Sequence, residues 1–259
     1  MTTTEPSIRV EKLRFGYDGA EVLHGISFEL HRGQVTGLLG PNGAGKSTTL
    51  KILTCILQAR EGLVTIEGFE VPKQSDEVKK RLGYVPESAD LYETLSALEF
   101  LELCGRLHEI EESTLQYRIG VFLETFGLSG QKRSRLGSYS KGMRQKVLIS
   151  AALLHDPSVL VLDEPLTGLD VESAMLTKDL LASLAARGKT VLYSSHVLDV
   201  VERFCDRVLI INQGDIAADG SPEELKAKTQ ESSLEGVFRD LTHAESAEPR
   251  VRQIMDALS

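Results

Sequence analysis

Alternating apolar and polar positions open the chain and then give way to solid apolar runs. Residues 8–30 place β-branched and aromatic side chains between polar ones, with a turn at Asp18 and Gly19, which predicts two antiparallel, partly exposed strands. The run QVTGLLG, residues 34–40, is almost wholly apolar and is typical of a strand buried on both faces. A glycine-rich segment and a stretch with helical spacing, STTLKILTCIL at residues 47–57, follow it. Strand, loop and helix in this order predict the start of an α/β unit.

The apolar spacing becomes helical between residues 96 and 126. Four apolar residues recur at every third position from Leu98 to Leu107, and a second stripe runs from Leu115 to Phe126. These stripes predict a helical subdomain inserted at about residues 88–140. Its simplest interpretation is a small lobe packed on its own apolar core.

Strand-like runs return in the second half of the chain. SVLVLDEP, TVLYSSH and RVLIINQG begin at residues 158, 190 and 207, and helical stretches near residues 174–186 and 198–204 separate them. This alternation predicts parallel strands joined by crossover helices. The predicted fold class is therefore α/β, with a mixed or parallel sheet, an antiparallel β margin and the helical subdomain.

The end of the chain is more polar. A short helix is predicted at residues 223–228, and the remaining tail has one strong apolar cluster, between Leu234 and Leu241. We interpret this cluster as an appended helix and divide the chain into a main domain, residues 1–230, and a C-terminal helical tail, residues 231–259.

Composition and charge narrow the classes of partner. The chain has 29 Lys and Arg against 38 Asp and Glu, a formal net charge of −9 and a sequence pI near 5.3, which argues against broad nucleic-acid binding. Its three cysteines are widely spaced and indicate neither a disulfide framework nor a zinc site. No apolar run approaches the ~18 residues of a membrane-spanning helix, and the first residues lack a basic region followed by an apolar one. We expect a cytoplasmic protein that neither spans a membrane nor is secreted.

The glycine-rich segment matches a phosphate-binding pattern. GPNGAGKST has glycine, four residues, glycine, lysine and serine, placed between an apolar strand and a helix. Its glycines let backbone amides face phosphates, and the helix presents its positive end to them. We expect Lys46 to reach the outer phosphates of a bound nucleotide and Ser47 to supply a hydroxyl ligand to Mg²⁺. The predicted binding loop comprises Gly40, Pro41, Asn42, Gly43, Ala44, Gly45, Lys46, Ser47 and Thr48.

A second chemical motif ends the run VLVLDEP. Asp163 and Glu164 lie at the carboxyl end of a buried strand, where open α/β sheets bind ligands. Adjacent residues on a strand point to opposite faces, so we expect the two acids to have different roles. We assign Asp163 to the magnesium shell and Glu164 to accepting a proton from, or orienting, an attacking water.

Five motifs in this order resemble an ABC transporter ATPase, a P-loop NTPase. The resemblance covers roughly residues 8–225, and the motif that discriminates it from kinases and GTPases is YSKGMRQK, because the serine-glycine turn opening a helix resembles the family's signature. The motifs are GPNGAGKST, YSKGMRQK at residues 139–146, VLVLDEP, GLD at residues 168–170 and SSH at residues 194–196.

The resemblance implies a second copy of the chain in the active site. In this family two copies face each other, and each nucleotide lies between one copy's phosphate loop and the other copy's signature turn. Ser140 and Gly142 would then offer donors and a helix dipole to the γ-phosphate across the interface.

Three further residues take roles from the resemblance. Tyr17 lies where the family places an aromatic side chain that stacks on adenine, with Phe15 as the neighbouring candidate. His196 matches a histidine that contacts the γ-phosphate and holds the attacking water. Asp170 would lie at the dimer interface, although a role as the cap of a helix starting near residue 171 is equally compatible with the sequence.

The sequence departs from the family pattern in two places. The consensus LSGGQ appears as YSKGM, so Lys141 replaces the first glycine and Met143 replaces the glutamine. In GYVPE the usual glutamine, a magnesium and water contact, is Glu87. A carboxylate can still bind magnesium, but it adds a negative charge beside the triphosphate. Both departures, and the tail segment LEGVFRDLT, resemble exporters whose membrane subunit is a separate chain.

The predicted function is an ATPase subunit that powers transport, with export the expected direction, through a separate transmembrane permease. It would lie on the cytoplasmic face of the membrane, bind ATP and Mg²⁺ and form a homodimer, with no nucleic-acid partner. The resemblance alone suggests that the surface near residues 87–92 docks the permease. One alternative is a soluble ABC-type ATPase acting on ribosomes or DNA, and another is a P-loop kinase.

Overall fold

The computed structural model describes residues 5–88, 91–242 and 248–258. In chain order the strands are β1 (Ile8–Tyr17), β2 (Ala20–Leu30), β3 (Gln34–Leu39), β4 (Glu61–Ile66), β5 (Phe69–Val71), β6 (Leu82–Val85), β7 (Val159–Asp163), β8 (Thr190–Ser194), β9 (Arg207–Asn212) and β10 (Asp215–Gly220). The helices are α1 (Lys46–Leu53), α2 (Ser75–Arg81), α3 (Ala97–Leu107), α4 (Glu112–Thr125), α5 (Lys141–Leu153), α6 (Val171–Ala186), α7 (Leu198–Phe204), α8 (Pro222–Thr229), α9 (Leu234–Thr242) and α10 (Glu248–Leu258).

The strands form two sheets. A six-stranded sheet has the order β10-β9-β3-β8-β7-β6, and all its neighbours are parallel except β9 and β10. A four-stranded antiparallel sheet has the order β2-β1-β4-β5. The predicted α/β class, with parallel strands, crossover helices and an antiparallel margin, is confirmed.

Alternation along the buried strands divides the core into two layers. On β7, Val159 and Val161 pack with the antiparallel sheet and α1, whereas Leu160 and Leu162 pack with the helices on the other face. Every residue of β7 and β8 is buried. Because both faces are covered, these strands require continuous apolar sequence, and this is why the runs are recognisable.

The predicted helical insert comprises α3 and α4. Ser96 and Glu99 form a capping box that starts α3, since Ser96 Oγ accepts the Glu99 N–H and Glu99 Oε2 accepts the Ser96 N–H. The two helices approach closely at Gly105, where an added Cβ would lie 2.1 Å from a methyl carbon of Leu115. The predicted boundaries at about residues 88 and 140 stay a prediction, and residues 89 and 90 lie outside the described residues.

The structure differs from the expected pattern in several segments. The helix after the phosphate loop ends at Leu53 instead of continuing to residue 57, because Cys55 adopts a left-handed conformation with φ of 59°. Residues 61–85 form β4, β5, α2 and β6, and residues 215–220 form β10; the sequence pattern predicts none of these elements. Elements this short contain too few positions to display a period.

The expected helix in the C-terminal tail is α9, and it packs on the helix-covered face of the central sheet. Leu234 and Val237 are fully buried there. The carboxylate of Glu202 on α7 accepts the Leu234 N–H at 2.9 Å and pairs with Lys226 Nζ on α8 at 2.7 Å. A second tail helix, α10, is not among the predicted elements. The division of the chain at residue 230 stays a prediction.

None of the helices in the described part of the chain combines the length and apolar content that crossing a bilayer requires.

We predict that α9 contributes to the stability of the whole domain. Leu234→Ala should lower the free energy of unfolding by about 2–5 kcal/mol, because it leaves a cavity in a closed core. Urea unfolding would measure the change. The matched control is Leu258→Ala on α10, where the side chain is 78% exposed and the expected change is within about 0.5 kcal/mol. Equal, small effects of the two substitutions would contradict a structural role for α9.

Candidate functional site

The phosphate loop connects β3 to α1 through a backbone that only glycine allows at three positions. A Cβ on Gly40 would lie 2.3 Å from the carbonyl oxygen of Ile211 on β9. Gly43 and Gly45 have φ of 79° and 110°, in the left-handed region that glycine adopts without strain. The loop is therefore packed closely against the sheet at Gly40 and has a left-handed backbone at Gly43 and Gly45.

Lys46 is folded back onto this loop. Its Nζ donates hydrogen bonds to the carbonyl oxygens of Gly40 at 2.6 Å and Pro41 at 3.0 Å. Burial lowers the pKa of Lys46, and the carboxylates of Asp163, Glu164 and Glu87 act in the opposite direction. The ammonium group is therefore held by two neutral carbonyl groups of the phosphate loop, and the charges of three carboxylates act on it.

Asp163 is the last residue of β7 and is buried. Burial raises the pKa of its carboxyl, the hydroxyl of Ser194 lowers it, Glu87 and Glu164 raise it further, and the hydroxyl of Ser47 lowers it. The hydroxyl of Ser47 therefore acts on the Asp163 carboxyl, and the assignment of both residues to a magnesium site stays a prediction. A buried carboxylate surrounded by other acids is a place where a cation is favoured.

Glu164 and His196 form a direct pair. His196 Nδ1 lies 2.7 Å from Glu164 Oε1, and the Glu164 N–H donates to the carbonyl oxygen of Ser194 on the neighbouring strand at 3.1 Å. The Glu164 side chain is 13% exposed and that of His196 is 75% exposed. The pair therefore consists of an enclosed carboxylate and an imidazole that faces solvent.

Strand alternation does not determine the direction of Glu164, contrary to expectation. β7 ends at Asp163, and Glu164 lies beyond it with φ of 50°, a left-handed conformation that is uncommon for a residue with a side chain. The charges of both carboxylates act on Lys46. The turn after the strand, rather than the pleat, gives the two acids their different surroundings.

Three side chains in this region carry oxygen atoms suited to binding a magnesium ion whose remaining ligands are phosphates. They are the hydroxyl of Ser47 and the carboxylates of Asp163 and Glu87, and Mg²⁺ prefers oxygen ligands. Within the described residues no group of three or more His, Cys, Asp or Glu could enclose a metal. This arrangement suits Mg²⁺, which is commonly held by one or two carboxylates, water and the phosphates of the substrate.

The signature segment begins α5. Ser140 is the helix N-cap, and its Oγ accepts the Met143 N–H at 3.2 Å. Gly142 lies against the turn that follows Glu164, since an added Cβ would lie 2.3 Å from the carbonyl oxygen of Gly168. No hydrogen bond among the described residues joins Ser140 to the phosphate loop.

Two functional candidates on α5 were missed by sequence reasoning. Gln145 is buried and donates from Nε2 to the carbonyl oxygen of Pro165 at 3.0 Å, and Lys146 Nζ pairs with Asp170 at 2.9 Å. Together with Gly142 they fasten the signature helix to the segment 164–170. A faint signal was present, because both residues belong to the quoted motif YSKGMRQK.

Asp170 caps α6, as one of its two interpretations required. Its Oδ1 accepts the Ser173 N–H at 2.8 Å, and its Oδ2 accepts from the Ser173 hydroxyl at 2.9 Å and from Lys146. These bonds, led by the Ser173 N–H, lower the pKa of the Asp170 carboxyl. Its side chain stays 58% exposed, which leaves the interface role compatible with the cap.

Tyr17 and Phe15 are in edge-to-face contact at the end of the first hairpin. Their ring centroids are 4.9 Å apart and the planes are inclined at 80°. Tyr17 is 45% exposed, whereas Phe15 packs against the core. The exposed ring is therefore the better candidate for stacking on a base, and the inner ring supports it.

A cavity of about 500 Å³ opens beside the Glu164–His196 pair. The cavity lies between the end of β6 and the start of α5. The central sheet and the signature segment therefore face each other across it. Its lining residues are Glu87, Ser88, Lys141, Arg144, Glu164, Thr167 and His196.

Comparisons with known proteins agree on one family. The family model described as ABC transporter matches residues 23–167. The "ABC transporter ATP-binding protein NatA" of Bacillus subtilis is 37% identical over 214 residues, which cover 82% of this chain and 87% of that protein. The "Nod factor export ATP-binding protein I" of Ralstonia nicotianae is 37% identical over 220 residues, covering 85% of this chain and 68% of that protein.

A solved structure supports the same assignment. The "Structure of ATP binding subunit of ABC transporter" superposes with a TM-score of 0.87 at 32% identity, covering 91% of this chain and 99% of that one. The arrangement of the phosphate loop, the acidic strand end and the signature helix is therefore that of a known fold. The chain belongs to the ABC transporter family and is one of its ATPases.

Proposed function

We propose that this protein is the ATP-hydrolysing subunit of an exporter, and that two copies enclose two Mg-ATP molecules between opposed phosphate loops and signature turns. The observation that carries the proposal is the division of the site within one chain. Lys46, Asp163 and Glu164 converge at the phosphate loop, whereas Ser140 has no bond to that loop among the residues described. A second copy supplies the missing side.

The roles of the polar residues follow from their positions. Lys46 exchanges its bonds to two loop carbonyls for bonds to outer phosphate oxygens, which charge-assisted hydrogen bonding favours. Ser47 and Asp163 would hold Mg²⁺, with Glu87 as a further oxygen ligand. When bound, the ion neutralises charge that develops on the phosphates.

Glu164 is the residue placed to act on water. Its enclosed carboxylate can accept a proton from the attacking water, and His196, 2.7 Å away, can orient that water and contact the γ-phosphate. The left-handed backbone at Glu164 and its N–H bond to Ser194 hold the carboxylate in place. Positioning and charge stabilisation supply most of phosphoryl-transfer catalysis.

The opposite copy contributes its signature turn. Ser140 and the amino end of α5 would donate to the γ-phosphate of the nucleotide held by the first copy, and Gly142 keeps the backbone of this turn against the 168–170 segment. Asp170 would lie at the interface, and Tyr17 would stack on the adenine. Base stacking of this kind contributes roughly 1–3 kcal/mol.

We further propose that closing and opening of the dimer drives a separate transmembrane permease, and that the protein lies on the cytoplasmic face of the membrane. The name of the Ralstonia relative includes export, which supports this direction. Membership of the ABC transporter family argues against the P-loop kinase. The acidic net charge of −9 argues against an ATPase that acts on DNA or ribosomes.

We predict that Glu164→Gln slows turnover without weakening ATP binding. Removing the proton acceptor should lower kcat by a factor on the order of 10²–10⁴. The ATP-bound dimer should then accumulate, because its ATP is hydrolysed more slowly. Phosphate release and light scattering with ATP would measure the two effects. Glu124→Gln, an exposed acid on α4, is the matched control. Unchanged turnover in the Glu164 variant would contradict the role.

Lys46→Ala should weaken ATP binding by about 10- to 100-fold, because a charged hydrogen bond contributes about 1.5–3 kcal/mol. Equilibrium titration with a fluorescent ATP analogue and competition by ATP would measure the affinity. Lys51→Ala changes an exposed lysine of the same helix and should bind ATP as the unaltered chain does. Equal affinity of the Lys46 variant and its control would refute the assignment.

Mixing two inactive variants tests the composite site. A Ser140→Arg chain retains its phosphate loop, and a Lys46→Ala chain retains its signature turn, so each mixed dimer should contain about one working site. ATPase activity should therefore reappear in the mixture while each variant alone stays inactive. Absence of activity in a mixture whose heterodimers are demonstrated by differential tags would show that each site is self-contained.

A further inference from the structure

The two charged departures from the family motifs line one cavity. Glu87 replaces the usual glutamine after β6, and Lys141 replaces the usual glycine at the start of α5. Both side chains are exposed, and both contribute to the cavity of about 500 Å³ beside the Glu164–His196 pair. The carboxylate that replaces the glutamine and the ammonium group that replaces the glycine therefore face the same cavity.

The other charged groups of this cavity already have partners. Arg144 donates from Nε to the carbonyl oxygen of Tyr139 at 3.2 Å and pairs with Glu93 at 3.1 Å. His196 and Glu164 are paired with each other. In the parts of the chain that the structure describes, neither Glu87 nor Lys141 takes part in an ion pair. Glu87 and Lys141 are therefore the two charged residues lining this cavity that can pair with each other.

The geometry permits them to interact. The aliphatic stem of Lys141 lies along the turn at Gly168, since its Cγ and Cδ are 3.2 and 3.3 Å from the position of an added Cβ there. Lys141 also lines the cavity, as Glu87 does. Both residues have flexible side chains, so their charged ends can approach each other within it.

The charge of Glu87 reaches the phosphate loop. After burial, which is the largest influence on both groups, the Glu87 carboxylate contributes to raising the pKa of Lys46 and that of Asp163. The same field would repel the phosphates of a bound nucleotide. Magnesium held by Glu87 would offset part of this charge, and a compensating cation of the chain close to Glu87 would offset the remainder.

We propose that Lys141 is a positioning residue that pairs with Glu87 across the cavity and neutralises its carboxylate when ATP is bound. The inference rests on the proposed function of this site. In this arrangement Lys141 acts on the nucleotide site of its own copy. Ser140 of the same signature turn, in contrast, contacts the nucleotide held by the opposite copy. The two departures then compensate each other within one chain.

The test compares Lys141→Met in two backgrounds. With Glu87 present, the substitution should raise KM for Mg-ATP about fivefold and change kcat by less than about twofold, because a repulsive charge is left unpaired. In a chain that already carries Glu87→Gln, the same substitution should change KM by less than about twofold. Lys141→Arg keeps the charge and should keep KM near that of the unaltered chain. Raising the salt concentration should reduce the fivefold effect, because salt screens exposed charges.

Lys228→Met, which removes an exposed lysine from α8, is the control for a general effect of lost charge. An equal rise in KM with Glu87 present and in the Glu87→Gln background would overturn the pairing, since it would mean that Lys141 contacts nucleotide directly or acts through the fold. An unchanged KM with Glu87 present would overturn it as well. Failure of the proposed composite site is a separate result, visible as no recovery of activity in the mixed-dimer experiment while these KM comparisons remain measurable.

Discussion

The site depends on charges that are held partly out of water at the carboxyl end of the central sheet. Asp163 is buried at the end of β7, and Lys46 faces it from the start of α1, with Glu164 and Glu87 close enough to influence both groups. Such an arrangement is unfavourable for acids alone, because burial and mutual repulsion oppose their ionised forms. It becomes favourable when cations and phosphate share the space. The fold therefore builds a pocket whose charges match a metal-nucleotide complex.

The packing that creates this pocket also couples it to the signature helix. Gln145 and Lys146 bind the segment after Glu164 at Pro165 and Asp170, while Gly142 lies directly against that segment. A displacement of α5 would therefore be transmitted to the turn that orients the carboxylate of Glu164. This connection gives a physical route by which the approach of a second copy at Ser140 could affect the hydrolytic side of the same chain.

The parts of the fold that sequence predicts well are those set by local pattern. β7 and β8 are buried on both faces and must be apolar, and the phosphate loop needs glycine at Gly43 and Gly45 because of their left-handed backbone. Elements of three to seven residues between positions 61 and 81 escape prediction because they are too short to show a period. Helix α10 is long enough to show a period but also escapes prediction, because it lies at the end of a polar tail.

The candidate site divides in a similar way. The identity of its charged residues follows from motifs, but their neighbours follow from contacts between distant segments. The 20-residue separation of Gln145 and Pro165 carries no sequence signal, and neither does the cavity shared by Glu87 and Lys141. Strand alternation does not apply to Glu164, which lies beyond the end of β7, and the left-handed turn at this residue is visible only in three dimensions.

The most direct measurement is the structure of the Glu164→Gln chain with ATP and Mg²⁺ bound. We expect two copies with two nucleotides, each γ-phosphate within hydrogen-bond distance of Ser140 of the opposite copy and of Lys46 of its own. A single copy with ATP on its phosphate loop, at concentrations where binding is saturated and with every Ser140 remote from nucleotide, would contradict it.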